Sequence, residues 1–173
     1  MSGINWNPDW QLSEPSEFDF NPDGSITLRD PLNDVFLTRD YIEFMQRSNG
    51  AGLRDTGSWF MARFDEGVVL LQVEWLGNTR NLDLTTRSYY RHLDPDTHLL
   101  PLKHVFIGFA DPVNPEGADI VMNVQKGDPD YGKIYAWIRA NDPWMTGDNT
   151  HGLGHVADSF TGFMNGLTER ENL

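Results

Sequence analysis

The sequence predicts an α+β fold, a single domain in which a mostly antiparallel or mixed β-sheet is flanked by helices. The stretch from His104 to Arg139 supports this, because it contains three apolar runs of strand length joined by two loops rich in Gly, Pro and Asp. The predicted elements follow the order helix, strands, helix, strands, helix, which is not the regular alternation of a doubly wound sheet. The length of 173 residues suits one well-buried domain and is too short for two ordinary ones.

The first predicted helix begins near Thr38, a suitable N-cap residue, and carries Asp40 in its first turn, where the helix dipole favours an acid. Apolar residues recur at helical spacing through the segment that follows. We expect the helix to end at Ser48, because Asn49 or Gly50 can adopt the left-handed conformation of a helix C-terminus.

Two strands, residues 59–64 and 68–75, are predicted on either side of a short hairpin turn at Asp65-Glu66-Gly67. A second helix is predicted over residues 85–93, because the residue before Pro95 disfavours the helical conformation. A third helix is predicted over residues 155–167. There the apolar residues repeat at helical spacing, namely Val156, Phe160, Phe163, Met164 and Leu167.

Residues 1–34 form a distinct acidic section, which we expect to be an arm packed on the domain of residues 35–173. Seven acids face a single base in this section, Arg29, yet four aromatic residues are spaced through it. Disordered tails are usually poor in aromatic residues, so packing on the domain is the better interpretation. A short strand, residues 25–29, is predicted after the turn formed by residues 21–24.

The strongest signal in the composition is charge. Asp and Glu number 26 and Lys and Arg number 13, which gives a formal net charge of −13. Such a chain repels nucleic-acid phosphates and anionic lipids, so we expect it to bind neither nucleic acid nor a membrane. It would attract a basic partner, although solubility alone also explains the charge.

The composition also indicates the cellular compartment in which the protein is expected. The absence of cysteine excludes disulfides and thiolate chemistry. No stretch approaches the ~20 apolar residues of a membrane-spanning helix. The first residues lack the basic head and apolar run of a secretory signal. A cytoplasmic location is therefore expected.

Motifs for catalysis and metal binding are weak. His151 and His155 have the spacing of some zinc sites, but Gly152 and Gly154 disfavour the helix that such sites need. No nucleophile motif or phosphate-binding loop occurs, and chance pairs of carboxylates are expected among 26 acids. We therefore predict a protein that is not an enzyme and that uses no cofactor and no metal.

Hydrated, acidic loops that also carry aromatic residues are typical of a surface that binds another protein. The loops of the His104 to Arg139 stretch and the loop after it have this composition. The predicted partner-binding residues are Asp111, Glu116, Asp128, Asp130, Tyr131, Asp142, Trp144 and Asp148. The alternative, that most of them are solvated turn residues, remains open.

Four segments together resemble a known family. They are the helix ending in Asn49-Gly50, the apolar strand 105–108 followed by residues 116–119, the strand 133–137 after a Gly-containing turn, and the closing segment 156–167. In this order and spacing they resemble the SUKH superfamily, which includes bacterial toxin-immunity proteins and the yeast cell-wall assembly regulator.

The resemblance implies a noncatalytic α+β domain that binds another protein. Bacterial members of the superfamily neutralise cognate toxins of polymorphic or contact-dependent systems, and many of those toxins are nucleases. The expected function is therefore that of an immunity protein, with a basic nuclease domain as its partner. The alternatives are a regulatory or scaffold module of the same fold without a toxin partner and, less in keeping with the motifs, a hydrolase that uses a carboxylate pair.

Overall fold

The computed structural model describes residues 3–13, 36–53, 57–90, 104–112, 117–138 and 152–173. The strands in these ranges are β1 Gln11–Leu12, β2 Ala51–Gly52, β3 Trp59–Phe64, β4 Gly67–Leu76, β5 His104–Pro112, β6 Ala118–Asn123, β7 Ile134–Trp137 and β8 Leu153–Ala157. The α-helices are α1 Arg39–Arg47, α2 Thr79–Tyr90 and α3 Phe160–Gly166, and a 3-10 helix, Arg170–Asn172, follows α3.

Six of the strands close into a barrel. The sheet runs β4, β3, β8, β7, β6, β5, and β5 pairs back onto β4. The closing contact between β3 and β8 sets Arg63 opposite His155. All pairings among the described strands are antiparallel, with β2 and then β1 extending the sheet from β4. The α+β class and the antiparallel pairing agree with the prediction, whereas the closure into a barrel was not foreseen.

Helices α1 and α3 pack against the barrel core through aromatic side chains. Tyr41, Phe44 and Phe160 are fully buried. The ring centroid of Phe160 lies 4.9 Å from that of Tyr41 and 5.1 Å from that of Phe44. A backbone contact reinforces the junction, because the N–H of Thr161 donates a hydrogen bond to the Asp40 carboxylate at 2.8 Å.

The first helix is confirmed. Thr38 is its N-cap in an extended conformation, but its hydroxyl lies 3.6 Å from the sulfur of Met122 and does not cap the helix. The hairpin of β3 and β4 and the three strands β5 to β7 are confirmed as well. Gly50 has a φ of +93°, as expected of a residue that follows a helix and cannot continue it.

The second helix begins earlier than predicted, at Thr79 rather than Thr85. Asn78 is the reason, since its side-chain oxygen accepts a hydrogen bond from the backbone N–H of Asn81 at 2.8 Å. This is the bond of an N-cap residue to the third residue of a helix. The sequence signal for this earlier start was Asn78 itself, because asparagine is a preferred N-cap residue.

The prediction of a helix over residues 155–167 is wrong in its first part. Residues up to Ala157 belong to β8, and the helix occupies Phe160–Gly166. Ser159 separates the two elements, because its hydroxyl accepts a hydrogen bond from the N–H of Gly162 at 3.0 Å and so caps α3. From Phe160 onward the predicted apolar face of the helix is present, and its residues Phe163 and Met164 are buried.

Of the acidic opening section, residues 3–13 are described and contact the domain. Ile4 and Trp10 are buried, and β1 pairs with β2. The strand predicted over residues 25–29 lies outside the described residues.

Tyr41→Phe should raise the free energy of unfolding by about 1 kcal/mol, because it removes a buried hydroxyl that has no hydrogen-bond partner among the described residues. Burial also raises the pKa of Tyr41 far above its usual range, so the folded state favours the neutral phenol. The wild type therefore loses stability as the pH rises above the unfolded pKa of about 10, because the unfolded chain ionises there more readily than the folded one. Urea unfolding at pH 7 and above pH 10 measures both effects.

The variant should therefore lose less stability than the wild type above pH 10. Tyr131→Phe is the matched control, since the Tyr131 hydroxyl does have a partner, the carbonyl oxygen of Leu37. Loss of stability in Tyr41→Phe at neutral pH would contradict the prediction.

Candidate partner-binding surface

The connection between β6 and β7 is a closely hydrogen-bonded turn. The N–H of Asn123 donates to the carbonyl of Lys133 at 3.0 Å, and the N–H of Gly132 donates to the carbonyl of Asn123 at 2.9 Å. Within the turn, the N–H of Tyr131 donates to the carbonyl of Asp128 at 3.0 Å. These bonds hold the side chains of the turn in fixed positions relative to the barrel.

Two carboxylates of the turn form contacts inside it. Asp128 accepts a hydrogen bond from the backbone N–H of Asp130 at 2.8 Å. Asp130 in turn accepts one from the ammonium group of Lys133 at 2.6 Å, and this bond raises the pKa of Lys133. Both acids therefore stabilise the turn, and the charge of Asp130 is partly compensated before any partner arrives.

Aromatic side chains lie beside the turn. The Phe36 ring is 49% exposed, and the Lys126 ammonium group lies 5.5 Å from its centroid. The half-buried Tyr131 donates its hydroxyl to the carbonyl of Leu37 at 3.5 Å. Burial, together with the Asp40 carboxylate, raises the pKa of Tyr131. The phenol therefore stays neutral and acts as a hydrogen-bond donor near pH 7.

A row of rings continues from the turn along β7 and the strands near it. The half-buried Tyr135 makes edge-to-face contacts with His104 and His155, with centroids 5.4 Å and 5.8 Å away. Burial and the Asp130 carboxylate raise the pKa of Tyr135. His155 lies 3.1 Å from a carboxylate oxygen of Asp158, whose side chain is 83% exposed. The row therefore ends in an accessible negative charge.

We call this continuous region the turn surface and define it by its described members, Phe36, Lys126, Asp128, Asp130, Tyr131, Lys133, Tyr135, His155 and Asp158. It combines three partly exposed aromatic rings with three carboxylates and two lysines. Aromatic anchors surrounded by polar groups are the usual composition of a protein–protein interface.

The turn surface lies on a domain that a family model recognises. The SMI1/KNR4 family model (SUKH-1) matches residues 33–166, well over half of the chain. The chain belongs to the SMI1/KNR4 (SUKH-1) family. The matched region of this SUKH-1 protein extends from just before α1 to the last residue of α3, which confirms the resemblance seen in the sequence. No curated protein and no solved structure matches the chain significantly.

In the SUKH-1 protein, the four predicted partner-binding residues that the structure describes do not all lie on one surface. Asp128, Asp130 and Tyr131 lie together at the β6–β7 turn, close to the start of β5. Asp111 is exposed at the other end of β5, roughly 20 Å away along the strand. The others lie outside the described residues, namely Glu116, Asp142, Trp144 and Asp148. A role in binding remains a prediction for all eight.

Sequence reasoning missed Phe36, Tyr135, His155 and Asp158. Tyr135 had a signal, because it alternates along the strand with the buried residues Ile134 and Ala136 and so lies on the other face of the sheet. His155 and Asp158 had none, since the segment was predicted to be the start of a helix. Only the pairing of β8 with β7 brings them beside Tyr135.

The described residues contain no group of three or more His, Asp or Glu side chains that could hold a metal ion. His155, one of the two histidines with zinc-like spacing, is on strand β8 and pairs with Asp158. His151 lies outside the described residues. Among the helices in the described ranges, none is long and apolar enough to cross a membrane.

Proposed function

We propose that this SUKH-1 protein is an immunity protein that binds and blocks a cognate toxin domain, a basic nuclease of a polymorphic or contact-dependent system. Membership of a family known for immunity proteins carries the proposal. The net charge of −13 supports a basic partner, because opposite charge accelerates encounter and excludes acidic competitors. On this proposal the protein acts in the cytoplasm by binding alone and is not an enzyme.

The turn surface is the binding site that we propose. Phe36 offers an exposed ring, and Asp158 offers a carboxylate that is largely exposed to solvent. The hydrogen bonds of the turn already order Asp130 and Lys133, so binding would cost little additional side-chain entropy. An interface of ordinary size, about 800 Å² on each partner, would extend beyond these residues to their neighbours on the barrel.

The test is the binding of a purified toxin domain encoded beside this protein, measured by calorimetry with charge-reversal variants. Asp130→Lys combined with Asp158→Lys should raise Kd about 10- to 100-fold, because two favourable charges become repulsive toward a basic partner. Kd of the wild type should also rise with salt concentration.

Asp65→Lys combined with Glu66→Lys is the matched control, since it reverses two exposed acids of the β3–β4 turn, at the opposite end of the barrel. Loss of binding in this control, with normal binding by the variant that carries Asp130→Lys and Asp158→Lys, would reject the turn surface as the site. Capture of a host signalling protein in place of any toxin would support the regulatory or scaffold alternative. Indifference of Kd to salt would contradict a basic partner.

A further inference from the structure

We propose that the groove formed by α1, β2 and α3 is a binding site for an extended peptide with two aromatic anchors four residues apart. Residues 3–13, which we call the strap, are its tethered occupant in this chain. The inference rests on the contacts of the strap and is independent of the toxin and of the turn surface.

The groove binds the backbone of the strap through one side chain of α3. The side-chain oxygen of Asn165 accepts a hydrogen bond from the N–H of Asn5 at 2.7 Å. Its amide nitrogen donates to the carbonyl of Gly3 at 2.8 Å. An asparagine in this arrangement offers the same donor and acceptor as a neighbouring β-strand, so it recognises extended backbone whatever its sequence.

Aromatic contacts supply the selectivity. The Trp6 ring stacks on Phe44 of α1, with centroids 5.6 Å apart and an angle of 7° between the planes. The guanidinium of Arg47 lies 4.0 Å from the centroid of the same ring. Trp10, four residues later, is buried, and so is Ile4. These positions define the anchors that a ligand of the groove must present.

The end of the strap adds a strand to the sheet. Gln11 and Leu12 pair antiparallel with β2, and the N–H of Ser13 donates to the carbonyl of Gly50 at 3.1 Å. Addition of a strand to a sheet edge, combined with pockets for particular side chains, is a common mode of peptide recognition.

Two features indicate that the strap is separable from the domain. It lies before residue 33, where the family match begins. A cleft of about 760 Å³ remains open along it, and its lining includes Asn7, Trp10, Thr168 and Asn172.

Hydrogen exchange of the intact chain is the first test. The amides of Asn5 and Ser13 should exchange at least about 100-fold faster than those of Val121 and Met122 in β6, because the strap would open while the barrel stays folded. Exchange of the strap amides at the rate of the β6 amides would overturn the proposal.

Peptide binding is the second test, using a fluorescein-labelled peptide of residues 1–13 and the full-length chain. Trp6→Ala weakens the tethered strap, so this variant should bind the labelled peptide at least about tenfold more tightly than the wild type, whose own strap competes at high effective concentration. A peptide with alanine in place of both tryptophans should not bind. Adding Asn165→Ala to the variant should weaken binding. Absence of saturable binding to the Trp6→Ala chain would overturn the groove as a peptide site.

Discussion

Replacing Gly50 with alanine should lower the free energy of unfolding by about 3–5 kcal/mol, as measured by urea denaturation. Two causes add together. The residue has a φ of +93°, which an L-amino acid with a side chain adopts only with strain. A Cβ atom there would also lie 2.7 Å from the carbonyl oxygen of Leu76 and 3.0 Å from the backbone nitrogen of Asn78. Both atoms belong to backbone at the end of β4 and the start of α2 and cannot easily move aside.

Gly127→Ala is the matched control for this prediction. Gly127 has nearly the same φ, +91°, but no heavy atom of the described residues lies within 4 Å of the position of a Cβ. Its cost should be about 1 kcal/mol, the conformational part alone. Equal losses in the two variants would show that the close approach at Gly50 contributes nothing.

Phe160→Ala should lower the free energy of unfolding by about 3–5 kcal/mol. Phe160 is fully buried at the start of α3, and its ring contacts those of Tyr41, Phe44 and Phe163. Truncation would leave a cavity where α1 and α3 meet, and the aromatic neighbours are too rigid to fill it. Chemical denaturation measures the loss.

Phe36→Ala is the control, because the Phe36 ring is half exposed and its removal should cost less than about 1 kcal/mol. A loss for Phe160→Ala as small as that of Phe36→Ala would mean that the α1–α3 junction repacks without a cavity. Since Phe36→Ala should remain stable, weakened toxin binding by this variant would report directly on the turn surface.

The sequence alone determined the elements whose signals are local. The helix ending before Gly50, the β3–β4 hairpin and the strands β5 to β7 were predicted because apolar spacing and turn residues act over a few positions. The segments that resemble the SUKH superfamily contain these same elements, so the family could be recognised before the structure. The turn with Asp128, Asp130 and Tyr131 was found in the same way.

The tertiary structure decided which strands become neighbours. The pairing of β8 with β3 and β7 closed the barrel, although Val156 and Phe160 fit a helical stripe as well as they fit a strand followed by a short helix. Apolar spacing over so few residues is compatible with either structure, and the choice depends on pairing partners distant in sequence. The same pairing set His155 and Asp158 beside Tyr135. The pairing of β5 with β4 and β6 separated Asp111 from the turn surface, because the two ends of a strand lie at opposite ends of a barrel.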